Sequence, residues 1–67
     1  MTASLTRREI EILTRVAQGE PARQIALSLG ITKRTVAAHM QSICHKLDAT
    51  NGAQAVAIAV TLGLIQL

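Results

Sequence analysis

The sequence predicts an all-α fold, a compact four-helix bundle in which helices 2 and 3 form a helix-turn-helix. Apolar residues recur at spacings of three and four along the chain. Capping residues and glycines mark the helix ends. A Gly-Ile-Thr turn at 30–32 has the length that joins the helices of a helix-turn-helix. Since 67 residues can build only one small core, we expect a single domain over 1–67, standing alone or as the C-terminal part of a longer protein.

The first helix is predicted over 7–18. Thr6 is its N-cap and Glu9 its capping-box partner, while Leu5 and Ile10 can form a hydrophobic staple. Gly19 ends the helix. Its apolar face is predicted to contain Ile10, Leu13, Val16 and Ala17.

The second helix is short, about two turns. Pro21 suits its first position, where a missing N–H costs nothing, and Gly30 suits a left-handed C-terminal cap. Its buried face is predicted to contain Ile25, Ala26 and Leu29.

The third helix is predicted over 33–47, with Ile31 filling the corner before it and Thr32 as its N-cap. Its apolar residues are predicted to face the core, namely Val36, Met40, Ile43 and Leu47. The opposite stripe is small or polar throughout and consists of Arg34, Ala37, Ala38, Gln41 and His45. This stripe is therefore expected to stay open.

The fourth helix is predicted to start at an Asn51 cap, supported by Gln54, and to end before Gly63. No charged residue occurs from 49 to 67, so we expect this helix to bury two faces. The inner face would contain Ala55, Val56, Ala59 and Leu62. The outer face would form a homodimer interface of Ala53, Ala57, Val60, Thr61 and Leu64. Packing on another domain of a longer protein is the alternative for that face.

The composition excludes several functions. Without Phe, Trp or Tyr, the chain lacks the aromatic platforms that stack single-stranded bases. Cys44 is the only cysteine, so neither a disulfide within the chain nor a thiolate metal cluster can form. No apolar stretch is long enough to span a bilayer, and no signal peptide opens the chain. We expect a cytoplasmic protein with no membrane partner, cofactor or metal.

An enzyme is not expected either. Cys44 and His45 are adjacent, and neighbouring helical side chains point about 100° apart. The serines lack a base at usable spacing, so no catalytic residue is predicted. By contrast, 21–47 contains Arg23, Lys33, Arg34 and Lys46 and no acidic residue, in a chain of net charge +3. This segment is the candidate anion-binding surface.

Three stretches, "LTRREIEIL", "GEPARQIALSLGITKRTVAAHMQSICHKL" and "AVAIAVTLGLI", resemble the LuxR-type (GerE-like) helix-turn-helix domain. They match in order, without gaps, over almost the whole chain. The resemblance implies a DNA-binding module of bacterial transcription regulators that dimerises through helix 4 and works at the nucleoid. Its implied partners are double-stranded DNA and an identical chain, and RNA polymerase is a further candidate.

The resemblance also implies roles for individual residues. Thr32, Lys33, Arg34 and Thr35 would lie near the DNA backbone and groove edge, Ala37, Ala38 and Gln41 would face bases, and His39 would approach a phosphate. Arg23 stands where the family usually has a lysine near DNA, and Lys46 completes the basic set. Thr35 could instead bond only within its own turn, and His39 could be a packing residue.

Two positions depart from the family pattern. The family commonly has a lysine where this chain has Ala37, and an arginine where it has Gly52. An alanine methyl can pack on a thymine methyl, but it cannot make the bidentate hydrogen bonds that contribute roughly 1–3 kcal/mol of base discrimination. We therefore expect weaker discrimination between DNA sequences than in a typical member of the family.

Two other functions are open at this point. The chain could be a protein-interaction module that pairs through helix 4 with full-length regulators. A promoter-binding helix-turn-helix of a sigma factor is also similar, although the Gly-Leu-Ile ending and the uncharged helix 4 argue against it.

Overall fold

A computed structural model describes residues 4–67 and confirms the all-α prediction. It contains four helices, α1 (Arg7–Ala17), α2 (Ala22–Leu29), α3 (Lys33–Leu47) and α4 (Gly52–Thr61). The predicted domain range includes residues 1–3, which lie outside the described part. The predicted bounds of α3 agree with the structure, and α1 ends one residue earlier than predicted.

Side-chain caps mark the starts of α1, α3 and α4. The Thr6 hydroxyl accepts from the Glu9 N–H at 3.1 Å, and the Thr6 N–H donates to Glu9 Oε1 at 2.8 Å, so the capping box is confirmed. Asn51 caps α4 by accepting from the Gln54 N–H at 2.8 Å. The Gln54 side chain, however, accepts from the Thr50 N–H at 2.6 Å instead of closing a box with Asn51.

The turn between α2 and α3 follows the prediction closely. Gly30 has φ +68°, the left-handed conformation that glycine adopts at low cost. The Ile31 N–H donates to the Ala26 carbonyl at 3.0 Å, and the Ile31 side chain packs on the core beside α2. Pro21 was predicted as the first residue of α2, but it is the N-cap, and the helix begins one residue later at Ala22. The chain therefore passes from α2 into α3 with only two residues outside helical geometry after Gly30.

The core consists of two clusters that share α1 and α3. One lies between α1, α3 and the C-terminal region and contains Leu13, Ile43, Leu47, Ala55, Ala59 and Ile65. The other joins α1, α2 and α3 through Ile12, Ile25, Ala26 and Val36. Met40 packs against both, so α3 is the central helix. The apolar face predicted for α1 omitted Ile12, which is fully buried.

The predicted faces of α4 need correction at the C-terminal end. Leu62, predicted to face the core, is 52% exposed, whereas Leu64, predicted to face outward, is half-buried and packs against the core. The helical period stops at Thr61, and Gly63 turns the chain with φ +74°. Residues after the turn therefore no longer follow the phase of α4, and Ile65 is buried instead.

Candidate nucleic-acid interface

The side of α3 that faces away from the core is open along its length. Val36, Ile43 and Leu47 are buried on the inner side. The outer stripe predicted from the sequence is exposed at every position, at Arg34, Ala37, Ala38, Gln41 and His45. A helix about 10–12 Å across matches the width of the DNA major groove, about 12 Å. The stripe is thus available to a groove.

Positive charge is concentrated where α3 begins. Thr32, Lys33 and Arg34 are exposed, and the first turn contains no acidic residue. The first N–H groups of a helix have no acceptor within it and form the positive end of the helix dipole. Two cations at this end are repelled by the positive end of the dipole, and a bound anion would offset that unfavourable energy. This arrangement favours a phosphate.

Two other predicted contacts are Thr35, in the first turn of α3, and Arg23, on α2. The Thr32 hydroxyl accepts from the Thr35 N–H at 3.1 Å, and the two threonine hydroxyl oxygens lie 3.0 Å apart. Thr35 therefore bonds within the first turn, which was the alternative to a DNA contact. Its contact with a phosphate stays a prediction. Arg23 is exposed in the first turn of α2, whose buried Ile25 belongs to the same cluster as Val36 of α3.

One flank of α3 packs towards α1 and is separate from the open stripe. Thr35, His39, Ser42 and Lys46 follow each other on it at spacings of four, three and four, and all are half-buried. Lys46 Nζ lies 2.7 Å from Glu9 Oε1, and the Ser42 hydroxyl donates to Glu9 Oε2 at 2.8 Å. The Lys46 ammonium is therefore held by Glu9, and its predicted DNA contact stays a prediction. The phosphate contact of His39 stays a prediction.

Glu9 has a second role besides the capping function predicted from the sequence. Its side chain is only 4% exposed. Burial alone raises the pKa of a carboxyl group, but here the hydrogen bonds from Lys46, the Thr6 N–H and Ser42 outweigh burial and lower the pKa of Glu9 from 4.5 to about 2. Besides capping α1, Glu9 thus ties α1 to α3 through a charged pair. Its partner is 37 residues away, so no local pattern indicates it.

The other flank of α3 borders an apolar groove of about 530 Å³, which we call the α3–α4 groove. Both departures from the LuxR-type pattern, Ala37 and Gly52, line it, although they are far apart in sequence. A Cβ atom at position 52 would lie 3.5 Å from Met40 Cε, an ordinary contact. The complete lining is Ala37, Met40, Gln41, Cys44, His45, Ala49, Thr50 and Gly52.

The outer face of α4 is the predicted dimer surface. Ala53, Ala57, Val60 and Thr61 are exposed, as expected, and Leu64 is not fully available because it packs on the core. Within residues 4–67, no helix is long and apolar enough to cross a membrane. In the same range no three His, Cys, Asp or Glu side chains group closely enough to hold a metal ion.

Comparisons with known proteins agree with this arrangement. Residues 3–59 match the family model described as "Bacterial regulatory proteins, luxR family". The chain is 54% identical over 63 residues to the HTH-type quorum sensing-dependent transcriptional regulator RpaR of Rhodopseudomonas palustris, covering 94% of the chain and 26% of that protein. It is 44% identical over 64 residues to the transcriptional activator protein SolR of Ralstonia nicotianae, covering 96% of the chain and 27% of that protein. The chain thus spans about a quarter of the length of these relatives.

Solved structures show the same fold. The transcription factor GerE superposes with a TM-score of 0.89 at 29% identity, with 92% of both chains covered. SdiA of Escherichia coli superposes with a TM-score of 0.86 at 35% identity, covering the whole chain and 29% of SdiA. The chain belongs to the LuxR family of bacterial regulatory proteins, as a helix-turn-helix DNA-binding domain with the GerE-like fold.

Proposed function

We propose that this chain binds double-stranded DNA at the nucleoid as a transcriptional regulator, with α3 in the major groove. The observation that carries the proposal is the exposed stripe of α3, which starts at a helix N-terminus with Lys33 and Arg34 and no acidic residue. Helix-turn-helix proteins place the N-terminal part of such a helix against base edges. The relatives' descriptions as transcriptional regulators and activators support this function.

The proposed contacts divide into two kinds. Lys33, Arg34, Arg23 and the first amides of α3 neutralise phosphates, which supplies most of the affinity and makes it depend on salt. Arg34, Ala37, Ala38 and Gln41 face the bases and carry the sequence preference. Contact with RNA polymerase stays a prediction, because nothing in the described part of the chain points to its site.

Fluorescence anisotropy on a labelled duplex tests this function. We expect saturable binding whose Kd rises at least about tenfold between about 50 and 200 mM salt, since each neutralised phosphate contributes about 0.9 to the salt slope. A single-stranded oligonucleotide of the same sequence is the control, and it should bind more weakly because the chain has no aromatic residue for stacking. Absence of saturable duplex binding at low salt would favour the protein-interaction module instead.

We further propose that two chains pair through the outer face of α4. This face is apolar and built largely of small side chains, which permits close approach between helices, and a symmetric pair would place each copy on one half-site. The half-sites are then expected about 34–36 Å apart, one turn of DNA.

Sedimentation equilibrium tests the pairing directly. In Ala57→Glu, a charge placed in the interface should weaken dimerisation at least about tenfold, because burying an unpaired carboxylate costs more than 1.4 kcal/mol. Ala22→Glu makes the same change at an exposed position in the first turn of α2, and it should leave the dimer intact. An equal dimer population in both variants would exclude α4 as the interface.

A further inference from the structure

The α3–α4 groove lies beside the DNA-facing stripe and is continuous with it. Three residues of the stripe, Ala37, Gln41 and His45, also line the groove. The two positions at which the LuxR-type pattern has long cations meet here as an alanine and a glycine. Apolar atoms of Met40, Cys44 and Ala49 are therefore left as part of its wall. An apolar surface thus adjoins the stripe of α3 that the proposed function turns towards the bases.

Few parts of DNA can match an apolar surface. In the major groove, base edges display hydrogen-bond donors and acceptors, and the C5-methyl group of thymine is the apolar group among them. Gln41 lies one helical turn after Ala37 on the same side of α3. A glutamine can bond both N6 and N7 of adenine. Methyl and amide side chains at this spacing are complementary to A·T pairs, and neither pairs well with guanine.

We propose that Ala37 and Gln41 together select A·T pairs, with the thymine methyl packed on Ala37 at the mouth of the α3–α4 groove. This inference rests on the proposed DNA binding and adds its base preference. Arg34, one turn before Ala37 and Ala38, is then the residue of the stripe that suits guanine. The part of the reading face beyond Arg34 therefore prefers A·T pairs.

The test replaces thymine by deoxyuridine, which removes the methyl group and leaves every hydrogen-bonding group in place. A preferred duplex is first selected from a randomised library, and each thymine is then replaced in turn. At one or two positions in each half-site we expect about a fourfold rise in Kd, the value of one buried methyl group. Ala37→Ser puts a hydroxyl at the contact, so it should reduce the ratio of uracil to thymine Kd towards one.

A matched variant and two outcomes make the test decisive. Ala22→Ser makes the same change on the exposed side of α2 and should keep the fourfold ratio. Circular dichroism verifies that both variants are helical. If the duplex binds but no thymine replacement matters, or if the ratio is unchanged in Ala37→Ser, the base preference is wrong while DNA binding stands. If no duplex binds at all, the proposed function fails with it.

Discussion

Replacing Glu9 by glutamine is expected to lower the free energy of unfolding by about 3 kcal/mol, the lower end of the cost of breaking a buried ion pair, because Glu9 is buried and Lys46 only half-buried. The Glu9 carboxylate accepts from Lys46 Nζ at 2.7 Å and from the Ser42 hydroxyl at 2.8 Å, and it caps α1 through the Thr6 N–H. A glutamine can keep its oxygen towards Lys46 and the Thr6 N–H and donate its amide N–H to the Ser42 hydroxyl, but it leaves Lys46 without its counter-charge. Denaturant unfolding followed by helical circular dichroism measures the change.

Glu11→Gln is the matched control. Glu11 lies on the same helix, but its side chain is 44% exposed and its pair with Arg8 spans 3.7 Å. An exposed pair of this kind contributes at most about 1 kcal/mol, so the variant should unfold almost like the original chain. Equal losses in the two variants would show that the pair between Glu9 and Lys46 does not hold α1 against α3.

The same carboxylate makes stability depend on pH in a definite direction. Because the pKa of Glu9 is lowered from 4.5 to about 2 on folding, the unfolded chain binds the proton more readily. Its contribution is complete above about pH 5 and is lost as the pH falls towards 2. The original chain should therefore lose more stability than Glu9→Gln across this interval.

The helix boundaries were predictable because short-range signals determine them. Thr6, Thr32 and Asn51 cap their helices with partners three residues away, and Gly30 turns the chain through its own conformational freedom. The face of α4 was predictable only as far as Thr61. Beyond it, Gly63 changes the direction of the chain, and a helical period cannot describe Leu64.

The open stripe of α3 was likewise predictable, since periodicity separates it from the buried face. Long-range contacts were not. Lys46 belongs to a basic segment in the sequence, but its ammonium bonds Glu9, which precedes it by 37 residues. The α3–α4 groove depends on the juxtaposition of Ala37 and Gly52, which becomes visible only when α3 and α4 are packed. Sequence patterns revealed both departures from the family, and the structure revealed that they form one surface.

The double change Lys33→Ala, Arg34→Ala tests most directly whether the start of α3 contacts DNA phosphates. Two charge-assisted hydrogen bonds of about 1.5 kcal/mol each would be lost, so Kd at low salt should rise about 100-fold. The slope of log Kd against log salt concentration should fall by about 2 per bound chain.

The control must remove the same charge at a distant place. Arg7 and Arg8 are exposed at the start of α1. Their neighbour Glu9 contacts Lys46, so this part of α1 lies near the C-terminal end of α3. Lys46 is about 18 Å along α3 from Arg34, at 1.5 Å per residue. We expect Arg7→Ala, Arg8→Ala to leave the salt slope nearly unchanged and Lys33→Ala, Arg34→Ala to reduce it by about 2. Equal slopes in the original chain and the Lys33→Ala, Arg34→Ala variant would contradict DNA binding through α3.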